Sequence, residues 1–175
     1  PNGHRVFRRL AQLPQITFAV LNGNAFGGGL ELALACDFRI AASNIKLALP
    51  EVNIGTLPGW AGSSRLIDGI GFSRAKFMLL SGSPIDADTA SAWGLVHTVA
   101  PFEELTAAAN EFVAKFRKAG PVAQRLGKQL ISAFENKTNS EVLEAFAGAI
   151  TATTEDLAEG ILSFREKRST QFSGR

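Results

Sequence analysis

Two carboxylates stand in settings that seldom hold a charge. Glu31 is the lone charged residue in the apolar segment from Phe26 to Cys36. Glu51 follows Leu47-Ala48-Leu49-Pro50 and precedes Val52, in a stretch rich in Gly and Pro. A buried carboxylate is costly unless it is paired or changes its protonation. That makes both residues candidates for acid/base work, sharing a water or a proton. A carboxylate in a first helical turn can equally be a surface partner of the helix dipole, but the neighbours of Glu31 are apolar. Just before it lies Gly27-Gly28-Gly29. A glycine turn that opens a helix presents backbone N–H groups with no side chains in the way. Such donors suit a developing oxyanion, as in acyl-transfer or enolate chemistry. Tight helix packing is the plainer explanation, although one glycine would serve it. The spacing fits neither a nucleoside-triphosphate loop nor the G-x-G-x-x-G of dinucleotide binders.

The elements that must position these groups alternate in type. Val6, Leu10 and Leu13 recur at helical spacing until Pro14 stops the helix. Residues 16–21 read as a fully buried strand, broken at Asn22-Gly23-Asn24. Leu30 to Cys36 reads as a buried helix. Short strands are expected at 38–41 and 46–49, followed by a loop over 50–62. The second half is helical. Short helices are expected over 63–70 and 73–80, separated by Gly69 and Gly71. Asp86 should cap a helix over 87–93, with Gly94 ending it. A strand near 96–99 precedes a helix over 103–118. Pro121 opens the next helix, Thr138-x-x-Glu141 resembles a capping box, and a last helix runs over about 155–167. The pattern predicts an α/β layered core over 1–100 and a helical region over 101–175.

Composition narrows the class. The chain has 175 residues, 46% of them hydrophobic and 19% charged, with net charge +2. It can bury a substantial core and is neither disordered nor a charged coiled coil. A pI near 9.0 reflects few surplus charges, and no basic run is long enough for a nucleic-acid stripe. The basic stretches at 5–9 and 165–168 read as solvated helix faces. The lone cysteine, Cys36, excludes an intrachain disulfide and a multi-cysteine zinc site and reads as a buried, inert thiol. Neither His4 nor His97 has a second metal ligand at helical spacing. No apolar run approaches the length of a membrane span, and no secretory signal is visible.

Several segments together resemble one family. Asn22-Gly23-Asn24-Ala25-Phe26-Gly27-Gly28-Gly29-Leu30-Glu31-Leu32-Ala33 resembles the catalytic segment of the crotonase, or enoyl-CoA hydratase/isomerase, superfamily. Cys36-Asp37-Phe38-Arg39-Ile40-Ala41 is similar to the strand after it, and Leu49-Pro50-Glu51-Val52-Asn53-Ile54-Gly55 to the segment bearing a second glutamate. The loop from Leu57 to Leu66, the segment from Ala90 to Val96 and the ending from Glu159 to Arg168 also fit. The resemblance implies a crotonase-like α/β spiral core of ββα units with a helical C-terminal region used for oligomerisation. It implies an acyl-CoA thioester substrate. Gly28 would be one of two oxyanion donors, Glu31 the base on the water that adds at Cβ, and Glu51 the group handling the proton at Cα. Gly27, Gly59 and Trp60 would line the same site.

The resemblance implies no cofactor: neither metal nor nicotinamide, with coenzyme A belonging to the substrate. It implies a homotrimer or a dimer of trimers, in the cytoplasm or, in a eukaryote, the mitochondrial matrix. Neither a membrane nor a nucleic acid is expected as a partner. Glutamates at both positions favour a hydratase over an isomerase. A non-catalytic oligomeric or RNA-binding homologue is the reading from another class, with the pI as its one support. Two departures stand out. Ala61-Gly62-Ser63-Ser64 replaces the usual Gly-Gly-Thr-Gln beside Trp60. The family's N-terminal third, with the other oxyanion donor in an alanine/glycine/aspartate loop, has no match here. The expectation is therefore a partial family domain, truncated or with its first part lost.

Overall fold

The computed structural model describes residues 2–54, 56–135, 150 and 153–175. They fall into two compact units, one of residues 1–13 and 17–113, the other of 14–16 and 114–175.

The first unit opens with α1 (Asn2–Ala11). Its arginines lie in solvent, as expected, and its last turn tightens as Leu13 N–H bonds the Leu10 carbonyl at 3.2 Å. Strands β1 (Phe18–Leu21), β3 (Phe38–Ala42) and β6 (Thr98–Ala100) form a parallel sheet in the order β1-β3-β6. Phe18 pairs with Phe38 and Leu21 with Ala41. Among the described residues β1 is an edge strand and is only partly covered, with Val20 exposed. That corrects the expectation of a fully buried strand: the central strand is β3, whose Ile40, Ala41 and Ala42 are wholly enclosed. A second sheet has the order β2-β4-β5, from Ala25–Phe26, Lys46–Ala48 and Ile85–Asp86. Strands β2 and β4 run parallel, β4 and β5 antiparallel.

Helix α2 (Gly28–Leu34) leaves β2 at once and buries Leu30, Glu31, Ala33 and Leu34. Its far end is fastened by Arg39 of β3, itself only 8% exposed. Arg39 donates to the carbonyls of Leu95 at 2.6 Å, Cys36 at 2.9 Å and Ala33 at 3.2 Å. Its backbone N–H bonds His97 Nδ1 at 3.2 Å. Burial and the Arg39 charge hold His97 below its usual range, so a neutral ring accepts that bond. Cys36, expected to be buried, is only partly covered because it follows the end of α2.

A 3₁₀ turn, η1 (Glu51–Ile54), occupies part of the expected loop. Helix α3 (Gly62–Ser81) follows, broken at Gly71, where φ is 77° and ψ 163°. The two short helices read from the sequence are its two arms. In α4 (Ala87–Ala92) Asp86 accepts the Thr89 N–H at 2.8 Å, the cap expected of it. After η2 (Phe102–Glu104), α5 (Leu105–Ala114) ends short of the expected 118. Leu105 and Ala109 belong to the same buried cluster as Leu30, Ile40 and Leu66, so this helix extends the core beyond residue 100.

In the second unit α6 (Pro121–Glu135) starts at its proline, and α7 (Glu155–Glu166) is followed by a tail that folds back on it. Buried Asp156 accepts N–H groups from Ser173 at 2.7 Å and Gly174 at 3.1 Å. Glu159 receives Arg168 through two bonds of 2.6 and 2.8 Å. The capping box at Thr138–Glu141, with Leu143 and Phe146, lies outside the described residues. Among the described residues no helix is long and apolar enough to cross a membrane.

Candidate active site

Glu31 is 2% exposed. Its carboxylate is met by the loop that leads into α3. Oε1 accepts the N–H of Trp60 at 2.7 Å and of Gly62 at 3.0 Å. Charge-assisted bonds of this kind are the strong ones. Two donors can converge because Ala61, between them, takes left-handed dihedrals (φ 69°, ψ 24°). Gly62 leaves the room: a Cβ there would lie 2.6 Å from Glu31 Cγ. No hydrogen bond to Oε2 is made among the described residues.

Arg65, in the first arm of α3, donates Nη1–H to the Trp60 carbonyl at 2.9 Å. Partial burial pulls its guanidinium below the ordinary arginine value, and attraction to Glu31 opposes that.

Glu51 reaches the same place from η1. Its Oε1 lies 3.0 Å from where a Cβ of Gly27 would sit. Its Oε2 is buried and has no hydrogen-bond partner among the described residues. A buried orphan oxygen carries a desolvation cost of about 1–3 kcal/mol. Such an atom asks for a reason, and a group awaiting a proton, water or substrate has one. Asn53 steadies η1 by donating Nδ2–H to the Gly82 carbonyl at 3.5 Å.

The glycines divide by what requires them. Gly27 has φ +53° and Glu51 above it, so both backbone and space demand glycine. Gly28 faces the Trp60 ring, 2.5 Å from its would-be Cβ, while Gly29 has open space. Packing therefore accounts for two of the three. As the first residue of α2, Gly28 has an N–H without a partner inside the helix. Trp60 is 38% exposed, set edge-to-face against Phe7 with centroids 5.1 Å apart. Gly59 is exposed, with no atom near its would-be Cβ. The structure thus brings Gly27, Gly28, Glu31, Glu51 and Trp60 together, and Gly59 adjoins them through the chain.

Residues 1–175 match the family model for enoyl-CoA hydratase/isomerase. The chain belongs to that family. A Bacillus subtilis (strain 168) relative named "Probable enoyl-CoA hydratase" is 40% identical over 98% of this chain and 68% of its own length. The "Crotonyl-CoA hydratase" of Syntrophomonas wolfei is 38% identical over 97% of this chain and 66% of its own. A crystal structure of enoyl-CoA hydratase from Bacillus anthracis superposes with a TM-score of 0.94 at 38% identity, over 99% of this chain and 68% of that one. The chain thus spans about two thirds of the length of these relatives. The fold is the α/β crotonase-like fold that the resemblance implied.

Within the enoyl-CoA hydratase/isomerase frame, sequence reasoning missed three supports of Glu31. Ala61 and Gly62 stood out there only as a departure from the family's loop and Arg65 only as one residue of that loop, none of them as a support of Glu31. Their signals were weak: a glycine beside a left-handed alanine, and a basic residue early in a helix where the dipole disfavours one.

Proposed function

We propose that this chain carries the acid/base carboxylates of an enoyl-CoA hydratase, adding water reversibly and syn across the double bond of a 2-enoyl-CoA thioester. The observation that carries the reading is the pair of glutamates flanking Gly27 and Gly28. One has a single oxygen pinned by two N–H groups and the other has a buried oxygen without a partner among the described residues. Glu31 Oε2 takes a proton from water as the water oxygen bonds to Cβ. Glu51 delivers a proton to Cα. Between these events negative charge gathers on the thioester oxygen, where the Gly28 N–H stabilises it as one donor of an oxyanion hole. Trp60, with Gly27 and Gly59, walls the acyl side. Coenzyme A enters and leaves as part of the substrate, and no further cofactor takes part.

The test is hydration of crotonyl-CoA by Glu31→Gln and Glu51→Gln variants. Each keeps side-chain volume and removes a base, so the rate should fall about two to four orders of magnitude with thioester binding little changed. Near-normal hydration by Glu31→Gln would overturn its role as the base, and double-bond migration in a 3-enoyl-CoA without hydration by wild type would favour a Δ3-Δ2-enoyl-CoA isomerase, which keeps the second glutamate. Salt-sensitive RNA retention without turnover would favour a non-catalytic homologue. The reaction class is that of β-oxidation, in the cytoplasm or mitochondrial matrix. We further propose assembly as a trimer or dimer of trimers through the helical region over 101–175. Exposed Leu157 and Ile161 on α7, with exposed Ile150, support it. A monomeric mass by light scattering would exclude it.

A further inference from the structure

We propose that Arg65 is a positioning residue for Glu31, acting through the carbonyl of Trp60. The inference rests on the reading of Glu31 as the base that activates water. Its geometry is that of three successive peptides. The N–H of Trp60 belongs to the peptide joining residues 59 and 60, and the N–H of Gly62 to that joining 61 and 62. Both point at Glu31 Oε1. The peptide between them, joining 60 and 61, has its oxygen held by Arg65 at 2.9 Å. Anchoring the middle peptide narrows the range of orientations open to its two neighbours, which can turn only about the dihedrals of Trp60 and Ala61.

The loop needs such a hold. Ala61 sits in the left-handed region, which an alanine does not choose freely, so relaxation of this residue would swing the N–H groups apart. Arg65 is moreover badly placed for any ordinary purpose. It lies in the first turns of α3, where the helix dipole repels a cation. Its partial burial removes hydration from the charge. A carbonyl ligand and the attraction of Glu31 offset these penalties only in part. Glu31 attracts the charge of Arg65 from α3, while Glu51 of η1 lies against Gly27, four residues before Glu31. Arg65 does not bond the carboxylate itself, so it leaves Glu31 Oε2 open for chemistry.

The experiment compares wild type with Arg65→Met and Arg65→Gln, both too short or too apolar to hold the carbonyl. Two readouts are taken: the amide ¹H and ¹⁵N shifts of Trp60 and Gly62, and kcat and KM for crotonyl-CoA hydration. A bond to a carboxylate moves an amide proton downfield, so loosening the loop should move both protons upfield. The kcat should fall about ten- to a hundredfold, as for a displaced catalytic group, with KM within about twofold. Arg65→Lys, which keeps the charge and much of the reach, should restore part of both. If Arg65→Met does not fold, Arg65→Gln carries the same readouts. Unmoved amides in a folded variant overturn the proposal, whatever the rate. If the amides move but wild type hydrates no enoyl thioester, the hydratase reading fails and the positioning role stands.

Discussion

Replacing Gly62 with alanine probes the site at its tightest point. The added Cβ would stand 2.6 Å from Glu31 Cγ, 2.8 Å from Oε1 and 3.1 Å from Cδ. Ordinary contact begins near 3.4 Å, so the Glu31 side chain must retreat by roughly 0.8 Å. It cannot retreat and keep its bonds, because the Gly62 N–H that holds Oε1 at 3.0 Å comes from the same residue. The alternative is for the loop to withdraw, which breaks the Trp60 bond as well. A misplacement of about 1 Å at a reacting group costs about a hundredfold in rate. Overpacking a buried site costs about 1–3 kcal/mol in stability. The expected result is therefore a folded, destabilised protein with kcat down about two orders of magnitude. Gly69→Ala in the same helix is the control. Its Cβ meets nothing within 4 Å, and it should gain about 0.5–1 kcal/mol of stability with turnover unchanged. The assay is loss of the enoyl chromophore of crotonyl-CoA, with urea unfolding in parallel. Wild-type turnover by Gly62→Ala would refute the claim that Glu31 works from the position seen here.

Ala61→Gly removes a left-handed alanine at φ 69°. Relief of that conformation outweighs the extra freedom of the unfolded glycine, so urea unfolding should show a gain of about 0.5–1 kcal/mol, and a loss would contradict it. The tail beyond α7 should respond to acid. Arg168 and the Gln171 N–H hold Glu159 down at about 2, from an ordinary 4.5. A carboxylate lowered on folding contributes fully above its ordinary value and loses that contribution as pH falls through the lowered one. The Gln171 amide resonance should therefore stay constant from neutral pH down to about 4 and move as pH nears 2. In Glu159→Gln it should be displaced at every pH.

The two candidate carboxylates were more legible in the sequence than the groups that hold them. Glu31 and Glu51 were legible because a charge among apolar neighbours is an anomaly visible in one dimension. Asp86 was legible because a cap is a local interaction, completed by Thr89 in the next turn. The exposure of Val20 was not, since a strand's place at the edge or centre of a sheet is fixed by strands distant in sequence. The same limit hid Arg65: its partner is a backbone carbonyl, which every residue has, so nothing in its neighbours' identities marks it. The glycine run was read for its N–H groups. Two of its members are first required by what packs on them, the Glu51 carboxylate and the Trp60 ring, both brought in by later segments.

Gly71 deserves the last test because both glutamates depend on the helix it breaks. At its start, α3 grips Glu31 through Gly62. At its end, Gly82 takes φ +62° as the C-cap and lies against Asn53, which steadies the turn carrying Glu51. A straight helix of this length would set its ends about 30 Å apart. Yet Glu31 and Glu51 both adjoin the short segment at Gly27 and Gly28, so the two ends of α3 must come back toward one place. The break at Gly71 allows that, and its dihedrals of 77° and 163° lie where glycine is nearly the sole occupant. Space is not the constraint, since a Cβ there would meet nothing within 4 Å. Gly71→Ala thus isolates the backbone. It should cost about 1–3 kcal/mol in urea unfolding. If the protein instead straightens the helix to relieve the strain, hydration should fall more than stability does, because the grip on one glutamate is lost. An alanine variant with unchanged stability and unchanged turnover would show that the break does not set the spacing of the two carboxylates.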